Sequence, residues 1–178
     1  MSTDELIEAA RRGDQRAWMA IVAELGPQIQ GYARSKGLRD TEDLLQDVMA
    51  AVAAGIHDFQ GDRSNFRAWV FSIAFRRIAD KHRLGYRRPE RVGLDRSPDR
   101  AATDVAPEAV VLTETMVDAS LEALDVLTDI EREVIVLRII AELGTDEVAT
   151  VVGKKPGTVR VIQSRAMSKL RKELQAWS

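Results

Sequence analysis

The residues with the clearest chemical potential are the basic side chains that follow position 153, where the only acid is Glu173. Such side chains neutralise phosphates, which supplies the sequence-independent part of DNA affinity. Cations near the end of a helix also suit its dipole, but Lys154, Lys155 and Arg160 crowd a helix start, where cations are disfavoured. The pattern therefore favours DNA binding over a merely solvated face. The basic residues are Lys154, Lys155, Arg160, Arg165, Lys169, Arg171 and Lys172.

Two helices separated by a tight break must position these residues. Thr145 is expected to cap the first helix, and Gly153 to end it in a left-handed backbone. Pro156 suits the first position of the second helix, which carries Val159, Ile162, Ala166 and Leu170 on one stripe. A short helix, a glycine-containing turn and a longer helix predict a helix-turn-helix, whose second helix enters the major groove of DNA.

Composition narrows the classes of function. The chain has 178 residues, 0 Cys, 2 His and a net charge of −2. Disulfides and thiolate zinc sites are thereby excluded, and we expect no metal site and no cofactor. No glycine-rich phosphate loop or nucleophile–base pair appears, so we expect no catalytic residues and no enzyme activity. No apolar run is long enough for a bilayer, which predicts a cytoplasmic protein without membrane insertion.

An acidic surface is predicted on a helix over 41–57, which Thr41 is expected to cap. Asp43, Gln46 and Asp47 lie at i, i+3 and i+4 and therefore share one face. Acids are favoured in any first helical turn, so by themselves these residues indicate a solvated face. Because basic residues concentrate elsewhere, at 76–91 and after 154, this separate acidic patch suggests a contact with protein.

A polar loop over 60–65 leads into a strongly basic helix. Phe66, Trp69, Val70, Ile73 and Ala74 form the apolar stripe of that helix. Its remaining surface carries Arg67, Arg76, Arg77, Lys81 and Arg83, with Phe71 and Phe75 interleaved. Basic and aromatic side chains together suit single-stranded nucleic acid, because bases stack while phosphates are neutralised. The aromatic side chains are equally well interpreted as core residues, and for Trp69 a core position is favoured.

The helical periodicity fails from 89 to 108, where Pro89, Gly93, Pro98 and Pro107 punctuate a polar run. This composition predicts a flexible linker. The fold class is therefore all-α, with two small helical domains: four helices over 1–88 and a helix-turn-helix domain over 109–178. Within the second domain we expect helices over 109–127 and from Asp129, which is expected to act as an N-cap.

Five segments in order resemble bacterial RNA polymerase sigma factors of the extracytoplasmic-function group. They are AARRGDQRAW (9–18), DTEDLLQDVM (40–49), FRAWVFSIAFRRIADKHR (66–83), LTDIEREVIVLR (127–138) and DEVATVVGKKPGTVRV (146–161). The likeness covers nearly the whole chain. It implies a transcription initiation factor that binds core polymerase, recognises −10 and −35 promoter elements and assists melting.

The resemblance assigns roles to the three surfaces. The acidic face, Asp43, Gln46 and Asp47, would dock on the clamp helices of the largest polymerase subunit. The −10 element, partly single-stranded, would be bound by Gln60, Asp62, Arg63, Ser64, Asn65, Arg76, Arg77 and Lys81. The −35 element, as duplex, would be bound by Lys155, Thr158, Arg160, Val161, Ser164 and Arg165. An anti-sigma factor is implied as a further partner.

This chain departs from the family pattern at several positions. Arg76 stands where the family often has Asn, and Lys155 where it has a small capping residue. Val161, Ile162 and Gln163 replace a common Ser-Arg-Leu, so we expect Ile162 to take over a core contact. These departures leave open the promoter sequence that the chain reads. They also fit a sigma-like decoy that binds an anti-sigma factor without driving transcription, although the retained basic surfaces argue against it.

A stand-alone repressor that uses only the C-terminal half is a further alternative. It would leave both the acidic face and the loop over 60–65 unexplained.

Overall fold

The computed structural model describes residues 3–87 and 123–176. The expected linker over 89–108 and the expected helix over 109–122 lie outside these residues. The described part consists of helices joined by turns and loops, and we number its helices in chain order. They are α1 Thr3–Arg11, α2 Gln15–Ser35, α3 Thr41–Gly55, α4 Arg63–Arg87, a short 3-10 helix Ala123–Val126, α5 Asp129–Ile139, α6 Thr145–Val152 and α7 Pro156–Ala176.

Several helices begin one residue earlier than the sequence suggested. Asp14 caps α2, accepting from the backbone N–H groups of Arg16 and Ala17. Thr41 is not a cap, because Asp40 precedes it and accepts from Asp43 N at 3.0 Å. A carboxylate at this position satisfies an orphan N–H and complements the helix dipole.

The caps predicted at Asp129 and Thr145 are wrong for a related reason. Thr128 caps α5 through a reciprocal capping box with Glu131, the pairing that a Thr-x-x-Glu sequence allows. Gly144 is the N-cap of α6, where the Glu147 carboxylate accepts the Gly144 N–H. In both places the glutamate three residues after the N-cap is the sequence feature that marks the true cap.

The N-terminal four helices enclose an apolar core. Tyr32, Leu44, Val48, Val70 and Phe71 are fully buried at its centre. Helix α2 continues through Pro27. Phe71 packs edge-on against Tyr32, with ring centroids 6.1 Å apart. The suggestion that Phe71 stacks on bases is therefore wrong, because the hydrophobic effect has placed this ring inside the domain.

The C-terminal half is built around the helix-turn-helix. Gly153 has φ +66° and ends α6, and its N–H bonds Ala149 O. Val159 and Ala166 are fully buried, while Ile162 and Leu170 are partly buried against the core. The prediction of an α-helix over 109–127 is wrong in its last turn, since residues 123–126 form a 3-10 helix.

The two halves pack directly against each other. Helix α4 lies along α6, and α2 touches α5. One cluster of buried apolar residues runs from Ile7 in α1 to Val159 in α7. The all-α, two-part architecture is as expected, but its parts share a continuous core.

Candidate functional site

The helix-turn-helix presents one face of α7 to solvent. All six residues expected on the −35 surface are exposed: Lys155, Thr158, Arg160, Val161, Ser164 and Arg165. Val161 is a large apolar side chain with 50% exposure, which suits contact with a thymine methyl group in the major groove. The buried Val159 and Ala166 fix the opposite face of α7, so the arrangement can place this surface in a groove.

The core contact predicted for Ile162 is confirmed. Ile162 is partly buried and packs against the main core, beside an equally intermediate Gln163. A methylene-rich side chain at 162 gains from burial, and its place leaves Val161 on the outer face. The basic side chains at the start of α7, Lys154 and Lys155, are both exposed.

The loop over 60–65 sits on a small aromatic platform. Phe59 stacks on Trp69 with ring centroids 5.1 Å apart, and Phe66 packs edge-on against Phe59 at 5.3 Å. Gly61 has φ +151°, and a Cβ there would lie 2.7 Å from Asn65 Cβ. Only glycine fits this turn without displacement. Trp69 packs with Phe59 and Phe66 against the core, as expected from its place in the apolar stripe.

Loop residues expected to contact −10 DNA are exposed, but three of them, Asp62, Arg63 and Asn65, have partners within the chain. The Asp62 carboxylate accepts from Asn65 N at 3.0 Å and from Asn65 Nδ2 at 2.9 Å, and so caps α4. Arg63 Nη2 lies 2.7 Å from Glu24 Oε1. Gln60 and Ser64 are exposed beside them. The structure therefore brings residues 60–65 together on one exposed edge of the domain, which we call the 60–65 rim.

On α4, Arg76 and Arg77 are exposed, and Lys81 is partly exposed. Lys81 Nζ lies 2.5 Å from Asp43 Oδ2 and 3.5 Å from Asp47 Oδ2. The hydrogen bond to Asp43 raises the pKa of Lys81, against the opposing effect of desolvation. Asp43, Gln46 and Asp47 all face solvent on α3. The acidic face and the basic face thus meet along the α3–α4 edge.

Arg67, which was expected on the basic face of α4, does not lie there. Its side chain is only 14% exposed and reaches into the C-terminal half, where Nη2 donates to Ala141 O at 2.7 Å. Sequence patterns also gave no sign of the buried contact of Glu133 with Tyr32 and Lys36. Glu133 lies in a helix with many charged residues and carries no motif.

Among the described residues, no three His, Asp or Glu side chains are grouped so as to hold a metal ion. In the described ranges, each helix falls short of the length and apolar character needed to cross a membrane.

Comparison with known proteins places this geometry in a family. The sigma-70 region 2 family matches residues 21–88, and the sigma-70 region 4 family matches residues 123–172. The sigma factor ShbA of Streptomyces griseus is 32% identical over 175 residues, which cover 93% of this chain and 92% of ShbA. CnrH of Cupriavidus metallidurans is 32% identical over 182 residues, covering 97% and 95% respectively.

A solved structure agrees with these matches. CnrH in complex with the cytosolic domain of CnrY superposes with a TM-score of 0.74 and 29% identity, over 99% of this chain and 100% of that chain. The chain belongs to the extracytoplasmic-function group of RNA polymerase sigma factors. That class comprises transcription initiation factors, which direct core polymerase to promoters and are not enzymes.

Proposed function

We propose that this sigma factor works through three separate surfaces on two domains, residues 1–88 and 109–178, joined by a linker over 89–108. The acidic face of Asp43, Gln46 and Asp47 docks on the clamp helices of the largest polymerase subunit. The 60–65 rim with Arg76, Arg77 and Lys81 binds the melted −10 strand. The exposed face of α7 binds duplex −35 DNA. The protein acts in the cytoplasm, without catalytic chemistry or a cofactor of its own.

The observation that carries this proposal is the outer face of α7. Six residues of types that contact DNA are exposed together on it, while between them Val159 is buried and Ile162 is partly buried. Arginine can bind guanine O6 and N7 with two hydrogen bonds, worth about 1–3 kcal/mol of discrimination. Lysines at the start of α7 would contact phosphates, and helix N-termini themselves favour anions. A decoy that never reads DNA has no need of this face.

The loop rim supports the −10 assignment in a different way. A base that leaves the duplex stack loses a few kcal/mol, which a pocket must offset. The rim is polar, exposed and held rigid by the aromatic platform and by the Asp62 cap, so little ordering is needed on binding. Arg76 and Arg77 lie further along the same helix, where they can neutralise the phosphates of the displaced strand.

A partner protein is part of the proposal. CnrH has been solved bound to the cytosolic domain of CnrY, and this chain resembles CnrH over nearly its whole length. We expect an anti-sigma protein to hold this factor in its native cell. Purification of the tagged chain from that cell, followed by mass spectrometry, should reveal a stoichiometric partner besides polymerase, and its absence would count against this element.

The surfaces can be tested separately by binding. We expect Asp43→Lys with Asp47→Lys to abolish association with core polymerase, measured by fluorescence polarisation of labelled protein, while leaving binding to −35 duplex unchanged. The double variant Arg160→Ala, Arg165→Ala should lose binding to the −35 duplex and keep its association with core polymerase. Glu42→Ala, an exposed acid on α3 outside the shared face, is the matched control. Equal loss of both activities in either double variant would contradict separate surfaces.

A further inference from the structure

The turn that leads from α3 into the 60–65 rim is held by a side chain from the first helix. Arg11 is the last residue of α1, and its side chain is 26% exposed. Its Nε donates to Ile56 O at 3.1 Å, and its Nη2 donates to Phe59 O at 2.5 Å. These carbonyls lie 45 and 48 residues further along the chain, just after α3 and just before Gln60. The contact therefore joins α1 to the base of the rim.

The two carbonyls depend on this arginine. Ile56 is buried and Phe59 is partly buried, and among the described residues no backbone N–H donates to either carbonyl. A carbonyl that is shielded from water without a partner is costly. Carbonyls at the end of a helix also favour a nearby cation. Loss of the guanidinium would therefore loosen the turn over 56–59, which is more than the loss of a surface charge.

The guanidinium is itself fixed in place. Its third nitrogen, Nη1, donates to Glu8 Oε1 at 2.5 Å within α1. Ile7 and Ala10 of the same helix are buried in the N-terminal core, so α1 cannot move away easily. Arginine carries its donors in a planar fork, which allows it to bind several acceptors in a defined geometry. A lysine at position 11 would keep the charge but not this fork.

Phe59, at the base of the rim, is held from two sides. Its ring stacks on Trp69 of α4 with centroids 5.1 Å apart, while its carbonyl is bound by Arg11. A Cβ on Gly55, the last residue of α3, would lie 2.9 Å from Trp69 Cζ2, so the end of α3 packs tightly on the same indole. The far end of the rim is fixed by the Asp62 side chain, which caps α4. Both ends of the rim are thus anchored.

We propose that Arg11 is a positioning residue for capture of the melted −10 strand, and that it holds the 60–65 rim in its binding shape before DNA arrives. A base that has left the stack binds most tightly to a pocket that is already formed, because loop residues that become ordered on binding reduce the affinity. Arg11 acts through the backbone over 56–59. This inference rests on the proposed function for its link to DNA, whereas the order of the rim can be measured on the free chain.

The order of the rim is tested by hydrogen exchange on the free chain. The Asp58 N–H is bonded to Gly55 O at 3.1 Å within the turn and reports on its opening. We expect Arg11→Met, which keeps an unbranched stem without a donor, to speed exchange at Asp58 roughly tenfold or more. Arg12→Met, at the exposed neighbouring position, should exchange like wild type. Unchanged exchange at Asp58 in Arg11→Met would overturn the proposal.

Capture is tested with the assembled holoenzyme and two labelled single strands. The first strand carries the −10 sequence obtained from run-off transcription. The second has an abasic site at the position where such a site weakens wild-type binding most. We expect Arg11→Met to weaken binding of the intact strand roughly tenfold and binding of the abasic strand much less, so that the ratio of the two affinities shrinks. Arg12→Met, which loses the same charge, should keep the wild-type ratio.

A conservative variant separates positioning from folding. Arg11→Lys keeps the charge and a donor, so its exchange rate and its affinity ratio should lie between those of wild type and Arg11→Met. Binding of −35 duplex through α7 should be unchanged in every variant. If Arg11→Met and Arg11→Lys weaken both strands equally, the affinity ratio is unchanged, the role of Arg11 is only structural, and the proposal is overturned. If the wild-type holoenzyme does not distinguish the two strands, base capture by the rim fails as part of the proposed function, and the role of Arg11 in capture fails with it.

Discussion

Lys81 Nζ lies 2.5 Å from Asp43 Oδ2, so a residue expected to bind the −10 strand is paired with a residue expected to bind polymerase. Asp47 Oδ2 is 3.5 Å from the same ammonium group. Both carboxylates are about half exposed, and exposed ion pairs contribute at most about 1 kcal/mol. The pair is therefore weak enough to be exchanged, and polymerase docking on α3 would release Lys81 toward DNA.

Replacing Lys81 should separate these two roles. In Lys81→Ala the acidic face loses an internal competitor, so we expect affinity for core polymerase to stay equal or rise by up to about fivefold. Affinity of the assembled holoenzyme for a melted −10 strand should fall. Polarisation titrations with core enzyme and with labelled single strand measure both. A fall in both affinities would indicate instead that Lys81 merely supports α3.

Arg160 and Lys155 should differ in what they contribute to −35 binding. If Arg160 reads a base, Arg160→Ala relaxes preference at one −35 position, at a cost of about 1–3 kcal/mol on the preferred sequence. Lys155→Ala should weaken all sequences alike and reduce the slope of log affinity against log salt by about 1. Binding to a set of single-position −35 variants, at two salt concentrations, decides between them. Equal loss on every sequence would show that Arg160 contacts only phosphate.

The ion pair between Lys169 Nζ and Glu131 Oε2, 2.6 Å apart, ties α7 to the start of α5. The hydrogen bond from Lys169, followed by that from Thr128 N, lowers the pKa of Glu131 to about 2. The unfolded chain binds this proton near pH 4.3, so the stabilisation is complete above about pH 5 and is lost as the pH falls toward 2.

Glu131→Gln should therefore weaken the acid dependence of stability. We expect the urea midpoint to fall less steeply between pH 5 and pH 3 than in wild type, although it starts lower at pH 7. Asp129→Asn, on the exposed side of the same helix, should retain the wild-type slope. An unchanged slope in Glu131→Gln would mean that another carboxylate controls acid unfolding.

Two glycines of the helix-turn-helix should respond to alanine with opposite signs. Gly153 has φ +66° with open space around a Cβ, so Gly153→Ala should destabilise by roughly 1–2 kcal/mol through backbone strain alone. Gly157 lies inside α7, also with open space, and Gly157→Ala should stabilise by up to about 1 kcal/mol. Urea unfolding monitored by circular dichroism compares the two. Equal effects would contradict the left-handed turn at Gly153.

The sequence predicted the helices and the exposed faces because both follow local rules. Periodicity placed Val159 and Ala166 inside and Arg160 and Arg165 outside, and the left-handed stop at Gly153 follows from its lack of a Cβ. The caps at Asp40 and Thr128 were missed by one residue, because neighbouring Asp and Thr residues compete for the same position.

Contacts between distant segments could not be predicted in this way. Phe71 is an aromatic beside arginines in the sequence, and only the fold shows that it packs on Tyr32. Arg67 was expected on a basic surface, and nothing in the sequence marked Glu133. Glu133 meets Tyr32 101 residues away along the chain, and Arg67 meets Ala141 74 residues away, and no local pattern encodes such contacts.

The most direct measurement is run-off transcription by core RNA polymerase on a pool of genomic promoter fragments, with and without this protein. We predict specific transcripts that depend on the protein and vanish in the variant with Asp43→Lys and Asp47→Lys, and whose shared upstream sequences define the −10 and −35 elements. If the protein binds core polymerase or an anti-sigma protein but yields no transcripts, the account is contradicted. The chain would then be a sigma-like decoy, and its departures at Arg76, Lys155 and Ile162 would explain the loss of promoter reading.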